Sequence, residues 1–142
     1  MIRQKGFSLL EVMLVLVLAA LLMGVVATSL SEGPVLRRSA REVAASLRHA
    51  RSIAILRQMP MTWSMDTGKK TFWIGSSQGE RRELHAGITP RLNTAASEVS
   101  GATGSVRFFP DGSSTGGSVE LEANGQAFKI NIEWITGRVS IL

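Results

Sequence analysis

Cysteine is absent from all 142 residues, which removes disulfides, thiolate metal sites and thiol nucleophiles and leaves stability to packing. Histidine occurs only as His49 and His85. Neither stands in an H-x-x-x-H or carboxylate spacing that would hold a metal, so both read as surface or satisfied polar residues. No G-x-S-x-G elbow surrounds any serine. The glycine-rich run Asp111 to Gly117 has backbone amides of the kind that cradle phosphate, but it lacks the lysine and following helix of a P-loop. It reads as a turn between two strands. No residue is therefore a candidate for catalysis, metal binding or cofactor binding, and the chain is read as a non-enzyme. The length leaves room for one short leader or membrane element and one globular domain of about 100 residues.

What the chain does have is concentrated at its start. Residues 1–27, MIRQKGFSLLEVMLVLVLAALLMGVVA, set Arg3, Lys5 and Gly6 directly against an apolar run that holds one carboxylate, Glu11. From Phe7 to Ala27 the run is about 20 residues, enough for a helix to cross a hydrocarbon core of roughly 30 Å. Arg3 and Lys5 predict a cytoplasmic amino terminus, with everything after Ser29 on the far side. An ionised acid in hydrocarbon costs roughly 2.5 to 3.5 kcal/mol, so Glu11 requires a partner or a job. A secretory signal peptide cleaved near Ala27-Thr28-Ser29, or an uncleaved signal anchor, accounts for the apolar run but not for the glutamate. The formal net charge of +5 includes Arg3 and Lys5, so a chain beginning after Gly6 carries +3 on its side chains.

The stretch Lys5-Gly6-Phe7-Ser8-Leu9-Leu10-Glu11-Val12 resembles the leader of type IV prepilins and type II secretion pseudopilins. The resemblance implies that a membrane peptidase recognises Lys5, Gly6, Phe7 and Glu11, cuts after Gly6 and methylates the new amine of Phe7. It also implies that Phe7 and Glu11 serve subunit assembly. The physical logic agrees: a carboxylate buried in a helical bundle is best matched by a cation at similar depth, and a neighbouring subunit's amino terminus at Phe7 is such a cation.

Beyond the apolar run, Ser31-Glu32-Gly33-Pro34 predicts a bend or interruption. Helical periodicity then resumes. Leu36, Ala40, Val43, Leu47, Ala50 and Ala54 fall on one stripe of a helix ending near Gln58 and Pro60. Arg37, Arg41, Arg48 and Arg51 share an adjacent face. They read as solvated, with Arg38 and Glu42 paired at i,i+4, and contact with anionic lipid or an acidic neighbouring subunit is the functional alternative. The rest reads as strands. A hairpin is expected from Met61–Met65 and Thr71–Ile74, short strands around Leu84 and over Ile88–Leu92, and a mobile loop over Ala95–Gly104. Clearer strands follow at Val106–Phe109, Ser118–Ala123 and Gln126–Ile135, with a type I′ turn at Asn124-Gly125 and a final strand after Thr136-Gly137. The fold class is α+β, a long amino-terminal helix packed on an antiparallel β-sheet head.

The segments Phe108-Phe109-Pro110-Asp111-Gly112-Ser113-Ser114-Thr115-Gly116-Gly117 and Trp134-Ile135-Thr136-Gly137-Arg138-Val139 resemble the H-type minor pseudopilins and the FimT group. This implies a pilin-like fold organised as a leader (1–6), a transmembrane assembly helix (7–29), a periplasmic helical continuation (30–59) and a β-rich periplasmic head (60–142). The implied function is that of a minor subunit near the tip of the type II secretion pseudopilus. Such a subunit is held by one span in the bacterial inner membrane with its head in the periplasm. Its implied partners are other major and minor pseudopilins, the prepilin peptidase and secreted protein substrates, and no cofactor is implied. The alternative is a type IV minor pilin of the FimT kind, involved in pilus assembly or DNA uptake. DNA binders of that kind carry Gly-Arg-x-Arg near the carboxyl end. Here Gly137-Arg138-Val139-Ser140 has only the first arginine, leaving Arg138 and Lys129 as candidate phosphate contacts. A plain membrane-anchored binding or enzymatic domain has no motif in its favour.

Overall fold

The computed structural model describes residues 7–30, 32–76 and 79–142. The chain divides between Glu32 and Gly33 into two compact units.

The first unit contains helix α1, Leu9–Leu30. The Ser8 carbonyl starts it, accepting from the amides of Glu11 at 3.0 Å and Val12 at 3.2 Å. Ser31, within the expected interruption, lies outside the described residues. Gly33 and Pro34 are themselves helical, in the first turn of α2, Glu32–Arg57. A proline is tolerated there because its missing N–H is one that a first turn leaves unbonded anyway.

Helix α2 belongs to the same unit as the β structure. Its predicted stripe is the buried one: Leu36, Ala40, Val43, Leu47, Ala50 and Ala54 are all at most 1% exposed. The helix stops where Gln58 takes a left-handed conformation, φ 52, and turns its side-chain amide back onto the Ile55 carbonyl at 2.7 Å.

Nine strands form two antiparallel sheets among the described residues. The first runs in the order β3-β2-β1-β6-β5, from Arg82–Glu83 (β3), Thr71–Ile74 (β2), Met61–Asp66 (β1), Thr103–Phe108 (β6) and Val99–Ser100 (β5). The second runs β4-β7-β8-β9, from Thr89–Asn93 (β4), Gly117–Ala123 (β7), Gln126–Ile132 (β8) and Val139–Ile141 (β9). Pro90 sits in β4, an edge strand, where a residue without an amide proton breaks no ladder. Asn124 and Gly125 both have positive φ, 48 and 72, the conformation a type I′ turn requires, and they set Ala123 opposite Gln126.

One continuous core joins α2 to both sheets. Trp63 and Met65 of β1, Phe72 of β2 and Phe108 of β6 enter it from the first sheet, and Val119, Leu121, Ile130 and Ile132 enter from the second. The indole of Trp63 needs a polar partner in that setting. It donates to Ser46 Oγ at 2.8 Å, and Ser46 Oγ donates in turn to the Val43 carbonyl at 2.7 Å. Gly104 is where the two sheets approach: a Cβ there would meet Leu92 Cδ2 at 2.5 Å.

Three expectations are corrected. Ala95–Gly104 is not a plain loop. It forms a 3-10 turn, Ala96–Glu98, then β5, and contributes the start of β6. Small, polar residues hid this pairing because neither face of β5 is buried. Strand β8 ends at Ile132 rather than Ile135, since Glu133 to Arg138 closes on itself through Gly137 N–H to Glu133 O (2.9 Å) and Glu133 N–H to Arg138 O (3.0 Å). The arginine face of α2 is solvated only in part, as described next.

Candidate functional site

Two regions carry the residues singled out from the sequence. In the first, Lys5 and Gly6 lie outside the described residues. Phe7 precedes α1 and is 81% exposed. Glu11 is in the first turn of α1, where the positive end of a helix favours a carboxylate. Among the described residues no cation is paired with Glu11. Every large apolar side chain from Leu9 to Met23 is exposed, so this helix presents a continuous apolar surface that lipid or other helices must cover. Among the described residues no helix is both long and apolar enough to cross a membrane. Side chains are described in α1 only as far as Gly24, and the apolar run continues beyond them to Ala27.

The second region is built by the two carboxy-terminal segments and an arginine the sequence reading left in solvent. The Arg51 Nε–H is shared between the carbonyls of Gly112 at 3.0 Å and Thr136 at 3.1 Å. Arg48 donates to the Val139 carbonyl at 3.0 Å. Thus α2 ties together the turn between β6 and β7 and the turn that joins β8 to β9. Direct bonds between the turns complete the tie. The Ser114 amide donates to the Trp134 carbonyl at 2.8 Å and Ser114 Oγ to the Glu133 carbonyl at 3.1 Å. Asp111 Oδ1 accepts from the amide of Ser113 at 2.9 Å and from its hydroxyl at 2.6 Å, and these bonds hold its pKa below the ordinary value of 3.8. The glycine-rich run is a turn whose conformation these bonds fix.

The two cations named for the DNA alternative stand at opposite ends of β9. Lys129 pairs across the strands with Glu120 at 3.7 Å and lies opposite Leu142. Arg138 is exposed, at the other end of β9, opposite Glu133. Four strand residues at about 3.3 Å each put them roughly 13 Å apart along the ladder. Elsewhere, Arg38 and Glu42 form the expected i,i+4 pair at 3.0 Å. Among the described residues, no group of three or more His, Cys, Asp or Glu could hold a metal.

The signal that could have exposed Arg51 was its spacing. It is four residues after Leu47 and three before Ala54, on the buried stripe itself, where a charged group is retained only with partners.

The family described as type II transport protein GspH matches residues 39–137, the span from α2 to the turn that Arg51 holds. The chain belongs to the GspH family. The prokaryotic N-terminal methylation motif matches residues 1–27, so the leader segment and Phe108–Gly117 are covered in full and Trp134–Val139 as far as Gly137. A GspH-family relative, type II secretion system protein H of Xanthomonas campestris, is 34% identical over 140 residues, 95% of this chain and 81% of that protein. Two solved structures share the fold. The type IV minor pilin FimU of Pseudomonas aeruginosa aligns with a TM-score of 0.61 at 19% identity, covering 79% of this chain and 91% of that one. The minor pseudopilin EPSH of the Vibrio cholerae type II secretion system aligns with a TM-score of 0.60 at 12% identity, covering 77% and 94%. The fold is pilin-like, as expected.

Proposed function

We propose that the protein is a minor pseudopilin of a type II secretion system, a non-catalytic subunit that enters a periplasmic fibre helping to move folded proteins across the outer membrane. The observation that carries this reading is the coincidence, in one chain, of a methylation motif over residues 1–27 with a GspH-family head whose two characteristic turns are locked to α2 by Arg51. The apolar surface of α1 supports it, because such a helix is usable both as a membrane anchor and as the core element of a helical fibre.

In this reading residues 1–6 are a leader, 7–29 the inner-membrane and assembly helix, and the remainder lies in the periplasm. Prepilin peptidase recognises Lys5, Gly6, Phe7 and Glu11, cuts after Gly6 and methylates Phe7. Cutting on the cytoplasmic side of the apolar run leaves the helix attached, whereas an ordinary signal peptidase discards it. The cut also creates the ammonium group that a neighbour's Glu11 needs in a low-dielectric bundle. Other pseudopilins are the partners this chemistry implies.

Amino-terminal sequencing of the mature protein tests the processing step. A mature chain starting at methylated Phe7, and an uncut precursor for Gly6→Val, are the expected results; a start near Ser29 refutes the pseudopilin reading. Glu11→Ala is expected to insert and to keep most of its processing, since the scissile Gly6–Phe7 bond is unchanged, while entering fibres poorly, and normal incorporation would rule out the proposed pair.

A further inference from the structure

A groove of about 840 Å³ runs along the first half of α2, between that helix and the start of β8. Among the described residues its walls carry Arg37, Arg38 and Arg41 against one carboxylate, Glu42, with Gln126 and the half-buried ring of Phe128 opposite. Glu42 is engaged by Arg38 at 3.0 Å. Arg37 and Arg41 are both exposed, without an acidic partner among the described residues. At i,i+4 they stand one above the other on the same helix face. Two neighbouring guanidinium forks beside an apolar wall suit a phosphate attached to a partly apolar group.

We propose that this groove holds the headgroup phosphate of an anionic phospholipid while the subunit waits in the membrane. The proposal rests on the membrane-anchored reading above. Ala27 closes the apolar run ten residues before Arg37, so even a fully extended chain keeps the groove within about 35 Å of the end of that run. A tether of that length favours lipid over any partner arriving from solution. Nucleic acid is the poorer fit, because the groove offers one half-buried ring, Phe128, and no succession of aromatics on which bases could stack. The headgroup contact would seat the head against the membrane surface until assembly draws the subunit out.

The lack of native cysteine makes the test direct. Ala45, exposed on the groove wall, is replaced in the Ala45→Cys variant and labelled with an environment-sensitive dye, and the full chain is reconstituted into vesicles. A dye shift in phosphatidylglycerol vesicles that is absent in phosphatidylcholine and weakens with salt is the expected result. Arg37→Gln with Arg41→Gln should weaken the lipid response by roughly 25-fold, about fivefold per arginine. Arg37→Lys with Arg41→Lys should keep the part that charge alone supplies, which separates loss of charge from loss of folding. An equal shift in both lipids, or one unaffected by the glutamine pair, overturns the proposal. So does an equal shift from soluble glycerol phosphate added to phosphatidylcholine vesicles, which reassigns the groove to free phosphate, or a shift seen only with an acidic pseudopilin present. Release of the chain from both vesicle types by alkaline carbonate would instead refute membrane anchoring, whereas loss of the shift with the chain still embedded refutes the groove alone.

Discussion

Gly137 lies against Arg51 with no room for a side chain between them: a Cβ at position 137 would stand 2.9 Å from Arg51 Nε and collide with the Gly112 carbonyl. Its φ of 62 adds a backbone reason for glycine. Gly137→Ala must therefore strain the turn and displace the guanidinium. We expect a loss of at least about 2 kcal/mol in urea unfolding followed by tryptophan fluorescence. Gly125 supplies the control. It also has positive φ, 72, but open space around it, so Gly125→Ala should cost only about 1 kcal/mol.

The same contact makes Arg51 the residue that binds the two turns to α2. Arg51→Met keeps much of the stem and removes the donor shared by Gly112 and Thr136. A loss of about 2 kcal/mol is expected for one charged, half-buried donor. Lysine should recover only part of it, because an ammonium cannot reproduce the guanidinium geometry. Since Gly137→Ala and Arg51→Met damage one network, the double variant should lose less than the sum, with a coupling of at least about 0.5 kcal/mol. Strict additivity would mean the clamp is not what holds the turns.

Periodicity made the α2 stripe and the β1–β2 hairpin legible, because burial of one face repeats in the sequence at 3.6 or 2 residues. Turn chemistry made Asn124-Gly125 legible for the same local reason. The partition into two sheets was not legible. It depends on which strand β6 joins and on the close approach of Gly104 to Leu92, both long-range choices with no local signature. Arg48 and Arg51 were misread for a related reason: their acceptors are backbone carbonyls 91 and 85 residues away, and a carbonyl leaves no mark on composition. The leader was legible as a motif, while the partner proposed for Glu11 has no counterpart among the described residues.

Ser46 is a core residue whose value lies entirely in its hydroxyl. Ser46→Ala leaves the Trp63 indole N–H, 2.8 Å from that oxygen, buried without an acceptor, at an expected cost of about 1 to 3 kcal/mol. In a Trp63→Phe background the same substitution should cost clearly less, since no donor is then stranded. Thermal unfolding of the four proteins in the cycle measures the difference, and equal costs in both backgrounds would show that the bond contributes nothing.

Asp111 gives the head a pH response whose sign follows from its partners. The bonds from Ser113 favour the ionised carboxylate, so its folded pKa lies below the ordinary 3.8. A group depressed on folding stabilises the protein above its unfolded pKa and loses that contribution as pH falls through the folded value. The stability gap between the native protein and Asp111→Ala should therefore be constant at neutral pH and narrow only once the pH drops below the ordinary carboxylate value. Ser113→Ala removes the hydroxyl bond but leaves the amide bond, and should shrink the gap without abolishing its pH dependence. Melting temperatures of the three proteins across the acid range decide the point, and a gap that widened on acidification would reverse the assigned sign.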